Sequence, residues 1–177
     1  IIGIDTYGDK DRLTPISEIE GTDFFTREID QAVLRHEIDF SVHSAKDLPD
    51  RVPEGLCVAV ITESTDPFDA LVSKENLSLN QLPYRARIGT SSSRRKAQLK
   101  FYRSDFEIVD IRGNIGERLK KLEEDNLDAI VIAACALIRL GLEERITQRI
   151  PFEILKPHPL QGCLAIETRK DERIIIM

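Results

Sequence analysis

The sequence has no tryptophan, one methionine and three cysteines, and aromatic residues make up only 6% of its 177 positions. Cys57, Cys135 and Cys163 are odd in number and far apart, with no Cys-x-x-Cys or Cys/His spacing. That speaks against a disulfide framework and a structural metal, and it fits a reducing, cytoplasmic compartment. His36, His43 and His158 are equally scattered. No apolar run approaches the roughly 18–20 residues that span a bilayer, so no membrane partner is expected. The opening Ile1-Ile2 has neither an initiator methionine nor a signal-peptide pattern, and the chain stops in Ile174-Ile175-Ile176-Met177 without a capping signal. Both ends read as cut from something longer. Positive charge is in deficit too: 25 Lys and Arg face 31 Asp and Glu, for a formal net charge of -6. Such a balance repels phosphate backbones unless basic residues gather locally. With no aromatic stacking motif, it argues against nucleic acid as a partner but leaves room for an anion site.

Core-forming residues are plentiful. At 41% hydrophobic the chain can build one large domain or two small ones. Ile1–Tyr7 reads as a strand followed by a polar turn, Gly8–Asp11. A helix pattern starts at Asp23, with Phe25, Ile29, Ala32, Val33 and His36 on one face and Thr22 or Asp23 as N-cap. Strands follow at 38–42 and 56–62, then the polar, turn-rich Glu63–Pro67, a candidate hinge. Beyond it, strands at 69–73, 86–89, 106–111 and 127–133 alternate with helices at 92–103, 114–124 and 134–140, the last with Gly141 as C-cap. Further strands are expected at 152–155 and 164–168. Strand–helix alternation predicts βαβ units and mainly parallel sheets, which place ligands beyond the carboxyl ends of strands.

Three loops after strands have unusual contents. Gly89-Thr90-Ser91-Ser92-Ser93-Arg94-Arg95-Lys96 puts hydroxyls and free backbone N–H groups at a helix start. Three cations in that first turn oppose the macrodipole by roughly 0.3–1 kcal/mol each, a cost that an anion at the helix N-terminus would offset. A nucleotide P-loop does not fit, because its Gly-Lys-Ser/Thr end is missing. Asp110-Ile111-Arg112-Gly113-Asn114-Ile115-Gly116-Glu117-Arg118 again places an arginine after a strand, with glycines that let a ligand approach the backbone. Arg118 within the next helix is either a solvated face residue or a ligand residue. Arg139 is either a ligand residue or a C-terminal cation that favours the dipole. The third loop, His43-Ser44-Ala45-Lys46-Asp47-Leu48-Pro49, sets a carboxylate at a strand end, or else forms a plain polar turn closed by Pro49. Several arginines and one carboxylate suit a polycarboxylate ligand, since guanidinium binds carboxylates bidentately.

At these residues the sequence resembles the hydroxymethylbilane synthase (porphobilinogen deaminase) family. Asp39–Pro49 matches D-x-x-V-H-S-x-K-D-[LV]-P, and Gly89–Leu99 matches G-T-S-S-x-R-R-x-x-Q-L. Arg112–Leu119 matches R-G-N-[VI]-x-x-R-L, Leu137–Leu142 matches L-x-R-L-G-L, and Gln161–Glu167 resembles Q-G-A-L-[GA]-I-E. The resemblance implies two domains like type II periplasmic binding proteins, with the family's third, α+β domain absent. Domain one would hold residues 1–62 and 163–177, and domain two 68–157, with 63–67 as hinge and 158–162 as the return crossing. It implies a cytoplasmic, monomeric transferase that joins four porphobilinogen molecules on a dipyrromethane cofactor, whose attachment cysteine would lie in the absent domain. It needs no metal. Asp47 falls on the catalytic aspartate. Arg94, Arg95, Arg112, Arg118 and Arg139 would hold acetate and propionate groups, assisted by Lys46, Ser44, Thr90, Ser91, Ser92 and Gln161, with Phe25 near the incoming substrate. The chain departs from the family at Glu20–Phe25, where a lysine-bearing G-x-G-K-G-x-F is usual, and at Pro157–Gly162. The N-terminal R-x-G-[ST]-R segment is missing. The alternative is a non-catalytic, two-domain small-anion binding protein of the same fold.

Overall fold

The computed structural model describes residues 1–11, 14 and 22–170. Glu20, Gly21 and the apolar end at 174–177 therefore lie outside the described residues. The chain divides into two compact units, Ile1–Ser64 with Cys163–Met177, and Thr65–Gly162.

The first unit contains α1 (Tyr7–Lys10), α2 (Arg27–Leu34), β1 (Phe40–Ser44), β2 (Leu56–Ile61) and β8 (Leu164–Arg169). Its sheet has the order β1-β8-β2. β8 is antiparallel to both neighbours, so β1 and β2 run the same way. Along β1 the side chains alternate: Ser41 and His43 are buried, Phe40 and Val42 exposed, as a strand covered on one face requires. Two expectations fail here. Residues 1–6 form no strand, and the expected turn at Gly8–Asp11 is mostly helix. Thr6 and Asp9 form a capping box in which each side chain bonds the other's backbone N–H, and this local pairing outweighs a weak strand pattern. The helix expected from Asp23 starts instead as a 3-10 turn, Asp23–Phe25, and restarts at Arg27. Thr22 precedes that turn without a side-chain cap bond.

The second unit contains β3 (Asp69–Ser73), β4 (Arg87–Gly89), α3 (Ser93–Tyr102), β5 (Glu107–Val109), α4 (Ile115–Glu124), β6 (Ala129–Ala133), α5 (Ala134–Arg139) and β7 (Gln148–Ile150). The sheet order is β5-β4-β6-β3-β7. β4 is parallel to β5 and β6, whereas β3 is antiparallel to β6 and β7. Four of the five strands thus point one way, the mainly parallel arrangement expected, with β3 reversed among them. Both faces are covered, and alternate residues of one strand feed two cores. Val131 packs with Leu71, Ile88, Leu99 and Phe106, while Ile130 and Ile132 pack with Ile111, Leu122 and Leu137. This two-sided burial is why the run at 127–133 is almost wholly apolar. Helix ends follow their signals. Ser92 caps α3, Asn114 and Glu117 form a capping box on α4, and Gly141 (φ 67°) follows α5 in the left-handed conformation. The strand expected at 152–155 is instead a turn, in which Ile154 and Leu155 donate to the Pro151 carbonyl. The strand lies earlier, at Gln148–Ile150, paired with β3.

Candidate functional site

The second unit sets its conspicuous loops side by side at the carboxyl ends of adjacent parallel strands, β4 and β5. Thr90 donates its N–H to the Val109 carbonyl at 2.9 Å. Ser91 Oγ donates to the Ile111 carbonyl at 2.5 Å. The hydroxyl loop is thereby laced to the segment that leads into Arg112. Thr90 is fully buried, and among the described residues its Oγ1 has no hydrogen-bond partner. Buried hydroxyls nearly always find one, so Thr90 Oγ1 is a candidate to bond a polar group from outside these loops. Ser92 is half-buried and accepts the Arg95 N–H as helix cap.

The three cations of α3 find partners that the sequence did not announce. Asp69, fully buried at the start of β3, accepts from Arg95 Nε at 2.9 Å and Nη2 at 2.5 Å through Oδ1, and from Arg94 Nη2 at 2.8 Å through Oδ2. Gln161, also buried, donates its Nε2 to the same Oδ1 at 3.0 Å and to the Pro67 carbonyl at 2.9 Å, and it accepts from Arg95 at 3.4 Å. Arg95 further donates to the Val131 carbonyl, and Arg94 to the Lys156 carbonyl. Lys96 pairs with Asp110. Burial by itself would push the Asp69 carboxyl up, but the attraction of Arg95 and then of Arg94 outweighs it and holds the group below its ordinary value. The dipole cost that seemed to require an external anion is therefore offset internally, by Asp69 and Asp110.

The other arginines lie on separate features of the same unit. Arg112 is half-buried, and its carbonyl accepts from Lys121 at 3.1 Å. Arg118, half-buried, donates from Nε to the Gly113 carbonyl at 2.7 Å. Gly113 is needed for its conformation: φ is +113°, and a Cβ would sit 2.5 Å from Glu117 Oε2. The Glu117 side chain lies against the position that a Cβ would take. Arg139 is exposed, and it donates to the Gly162 carbonyl at 2.6 Å and to Thr65 Oγ1 at 3.5 Å. It joins the two ends of the unit rather than acting only as a helix-terminal cation.

In the first unit, β1 delivers Ser44 and Lys46, both half-buried, and Asp47, which is exposed at the end of the 3-10 turn Ala45–Asp47. Phe25 is half-buried in an aromatic group, edge-to-face with Phe24, which in turn meets Tyr7. It lies against Gly8, where a Cβ would fall 2.3 Å from its ring. His43 looks inward, 2.8 Å from Ser41 Oγ and 3.6 Å from Glu167 Oε2. Asp30 on α2 joins them: donor atoms of Asp30, His43 and Glu167 lie within 4.8 Å of one another, all buried. Burial, and next to it the charge of Glu167 and a hydrogen bond with it, raise the Asp30 carboxyl to about 7 against the opposing bond from Thr26. A proton between two buried carboxylates accounts for this, since both cannot ionise side by side. The sign follows from linkage. Folded Asp30 keeps its proton where the unfolded residue, at the ordinary 3.8, has lost it. The stabilisation is complete below about pH 4 and is lost as pH rises towards 7. Relative to Asp30→Asn, the wild-type protein should lose up to about 1.4 kcal/mol of stability per pH unit across that window. Parallel melting-temperature profiles for the two proteins would refute the shared proton.

The family model "Porphobilinogen deaminase, dipyromethane cofactor binding domain" matches residues 1–176. The chain belongs to the porphobilinogen deaminase family. Among curated relatives, porphobilinogen deaminase of Pelotomaculum thermopropionicum is 47% identical over 172 residues, covering 97% of this chain and 55% of the relative. That of Geobacter sulfurreducens is 44% identical over 175 residues, covering 99% and 55%. The chain spans about half the length of the curated relatives it matches. Among solved structures, a lipoprotein of Bacillus subtilis aligns at a TM-score of 0.50 and 16% identity, over 82% of this chain and 69% of that one. The likeness is one of fold alone, the α/β architecture of the type II periplasmic-binding-protein class that the resemblance implied. No described helix is long and apolar enough to cross a membrane.

Proposed function

We propose that the full-length protein is a porphobilinogen deaminase (hydroxymethylbilane synthase), a transferase that joins porphobilinogen units with loss of ammonia to make the linear tetrapyrrole precursor. The observation that carries this reading, in a chain of that family, is the hydroxyl and guanidinium array at adjacent strand ends of the second unit, where the buried Thr90 Oγ1 has no partner among the described residues. That donor set fits a dipyrromethane cofactor: its acetate and propionate groups are acceptors, and the loops offer hydroxyl, guanidinium and helix N-terminal donors. When bound, the cofactor supplies the pyrrole carbon to which the first substrate is joined.

In this reading residues 1–62 with 163–177 form one domain and 68–157 the other, with 63–67 as hinge and 158–162 as the return crossing. Arg94, Arg112, Arg118 and Arg139 neutralise and orient ligand carboxylates, with Arg95 as a buried charge behind them, Lys46, Ser44, Thr90, Ser91, Ser92 and Gln161 adding hydrogen bonds and Phe25 an apolar wall. Asp47 serves the chemistry. Loss of ammonia from porphobilinogen leaves a cation shared with the pyrrole nitrogen, and a carboxylate beside that N–H stabilises it and moves protons. The protein works in the cytoplasm as a monomer on small acidic pyrroles, with neither nucleic acid nor a membrane as partner.

The test uses the full-length protein. It should consume porphobilinogen with equimolar release of ammonia, and before any substrate is added it should colour with an aldehyde reagent for pyrroles. An uncoloured protein that leaves porphobilinogen intact would sink the reading. Arg112→Leu should lower the elongation rate or raise KM about tenfold or more, since a lost charge-assisted bond costs on the order of 1.5–3 kcal/mol. Unchanged elongation kinetics would remove Arg112 from the site.

A further inference from the structure

Arg94 and Arg95 pose a physical problem that their neighbours in sequence do not solve. Both stand in the first turn of α3, where the helix dipole and each other's charge repel them, and Arg95 is buried. A buried guanidinium persists only if it is paired and its donors are used. Asp69 meets both conditions for Arg95 and at the same time holds one edge of Arg94. The two arginines differ in what remains to them. The Arg95 side chain is 7% exposed, and its Nε, Nη1 and Nη2 all donate within the protein. The Arg94 side chain is 24% exposed: Asp69 holds its Nη2 and the Lys156 carbonyl its Nη1, and its remaining N–H groups can meet a ligand.

We propose that Asp69 is the positioning residue of the carboxylate-binding arginines. It fixes Arg95 as a buried counter-charge and, through its second oxygen and together with the Lys156 carbonyl, sets the direction in which Arg94 offers its remaining N–H groups. The proposal deepens the functional reading above and rests on it. Asp69 is too buried to touch the substrate, so it acts only through the arginines. Two cations on one carboxylate leave the cluster with a net positive charge, and a ligand carboxylate therefore meets a frame already assembled. Little reorganisation is left for binding to oppose. Gln161, next to the last residue of the second unit, extends the frame, since its amide donates to Asp69 and to the Pro67 carbonyl, both close to where that unit begins. The same carboxylate thus governs the arginine pair and the anchoring of Gln161.

A double-mutant cycle in the full-length protein separates positioning from mere support of the fold. Asp69→Asn, Arg94→Gln and the double variant are compared, with porphobilinogen as the probe and with KM and pyrrole content as readouts. Each single change should raise KM or lower pyrrole content at least tenfold. The double should be no worse than the poorer single within about threefold, because the first residue works through the second. Effects that multiply, or a folded Asp69→Asn protein with wild-type KM and pyrrole content, would overturn the proposal. Should Asp69→Asn not fold, Asp69→Asn with Arg95→Gln, which removes the buried cation together with its counter-charge, is set against Arg95→Gln alone. A further loss of threefold or more supports the proposal, and equal values overturn it. In the wild-type protein the Nε–H of Arg95, donated to Asp69, should exchange slowly with solvent by NMR. Rapid exchange overturns the proposal whatever the variants do. A wild-type protein that neither colours nor consumes porphobilinogen is a different failure, that of the functional reading itself.

Discussion

Replacing Asp47 with Asn in the full-length protein should cut porphobilinogen turnover by about 10²–10⁴-fold, the range for losing a positioned proton-transfer group. The same variant should melt within a degree or two of the wild type. Asp47 is exposed at the end of a short 3-10 turn, so no packed core depends on its charge. Asparagine keeps the shape of aspartate and the capacity to accept a hydrogen bond, but it cannot carry the negative charge that a developing pyrrole cation needs nearby. Turnover within a factor of three of wild type, measured by ammonia release, would take Asp47 out of the mechanism and leave the fold assignment untouched.

The second large effect concerns stability. Asp69→Asn should lower the unfolding free energy by about 3–5 kcal/mol, because it leaves Arg95 as a buried cation without a counter-charge. Adding Arg95→Gln should recover a good part of that loss, since the pair is then removed together rather than broken. Denaturant unfolding of the three proteins checks both statements, and a double variant no more stable than Asp69→Asn would show that the loss has another origin. This expectation contrasts with that for Asp47. Asp47 is exposed at the end of a 3-10 turn, whereas Asp69 opens a strand and is fully buried.

The Asp47 loop stands out in the sequence because it combines unusual residue types in a fixed order after an alternating strand. Asp69 was passed over, although a signal for it exists: it is the only charged residue in the run Asp69-Ala70-Leu71-Val72, and an acid opening a buried strand must have a cationic partner. Which partner, the run cannot say, because Arg94 and Arg95 lie 25 and 26 positions away. Asp30 and Glu167 follow the same logic. Both are buried, they are 137 positions apart, and they meet only when α2 packs on the sheet. The opening strand failed for the opposite reason, since a single Thr6–Asp9 capping box decides that segment locally.

Residue order alone settled what depends on neighbours within a turn or two: helix caps, strand alternation, the apolar run of β6, and the motifs that place the chain in its family. Those are short-range effects of backbone geometry and burial, written into consecutive residues. Tertiary structure decided which charges share a counter-ion, which arginine is buried and which partly exposed, where β3 reverses among its neighbours and which carboxylates meet inside the first unit. Each of these depends on groups brought within about 3 Å from distant parts of the chain, a distance at which hydrogen bonds and desolvation rather than local propensity set the energy.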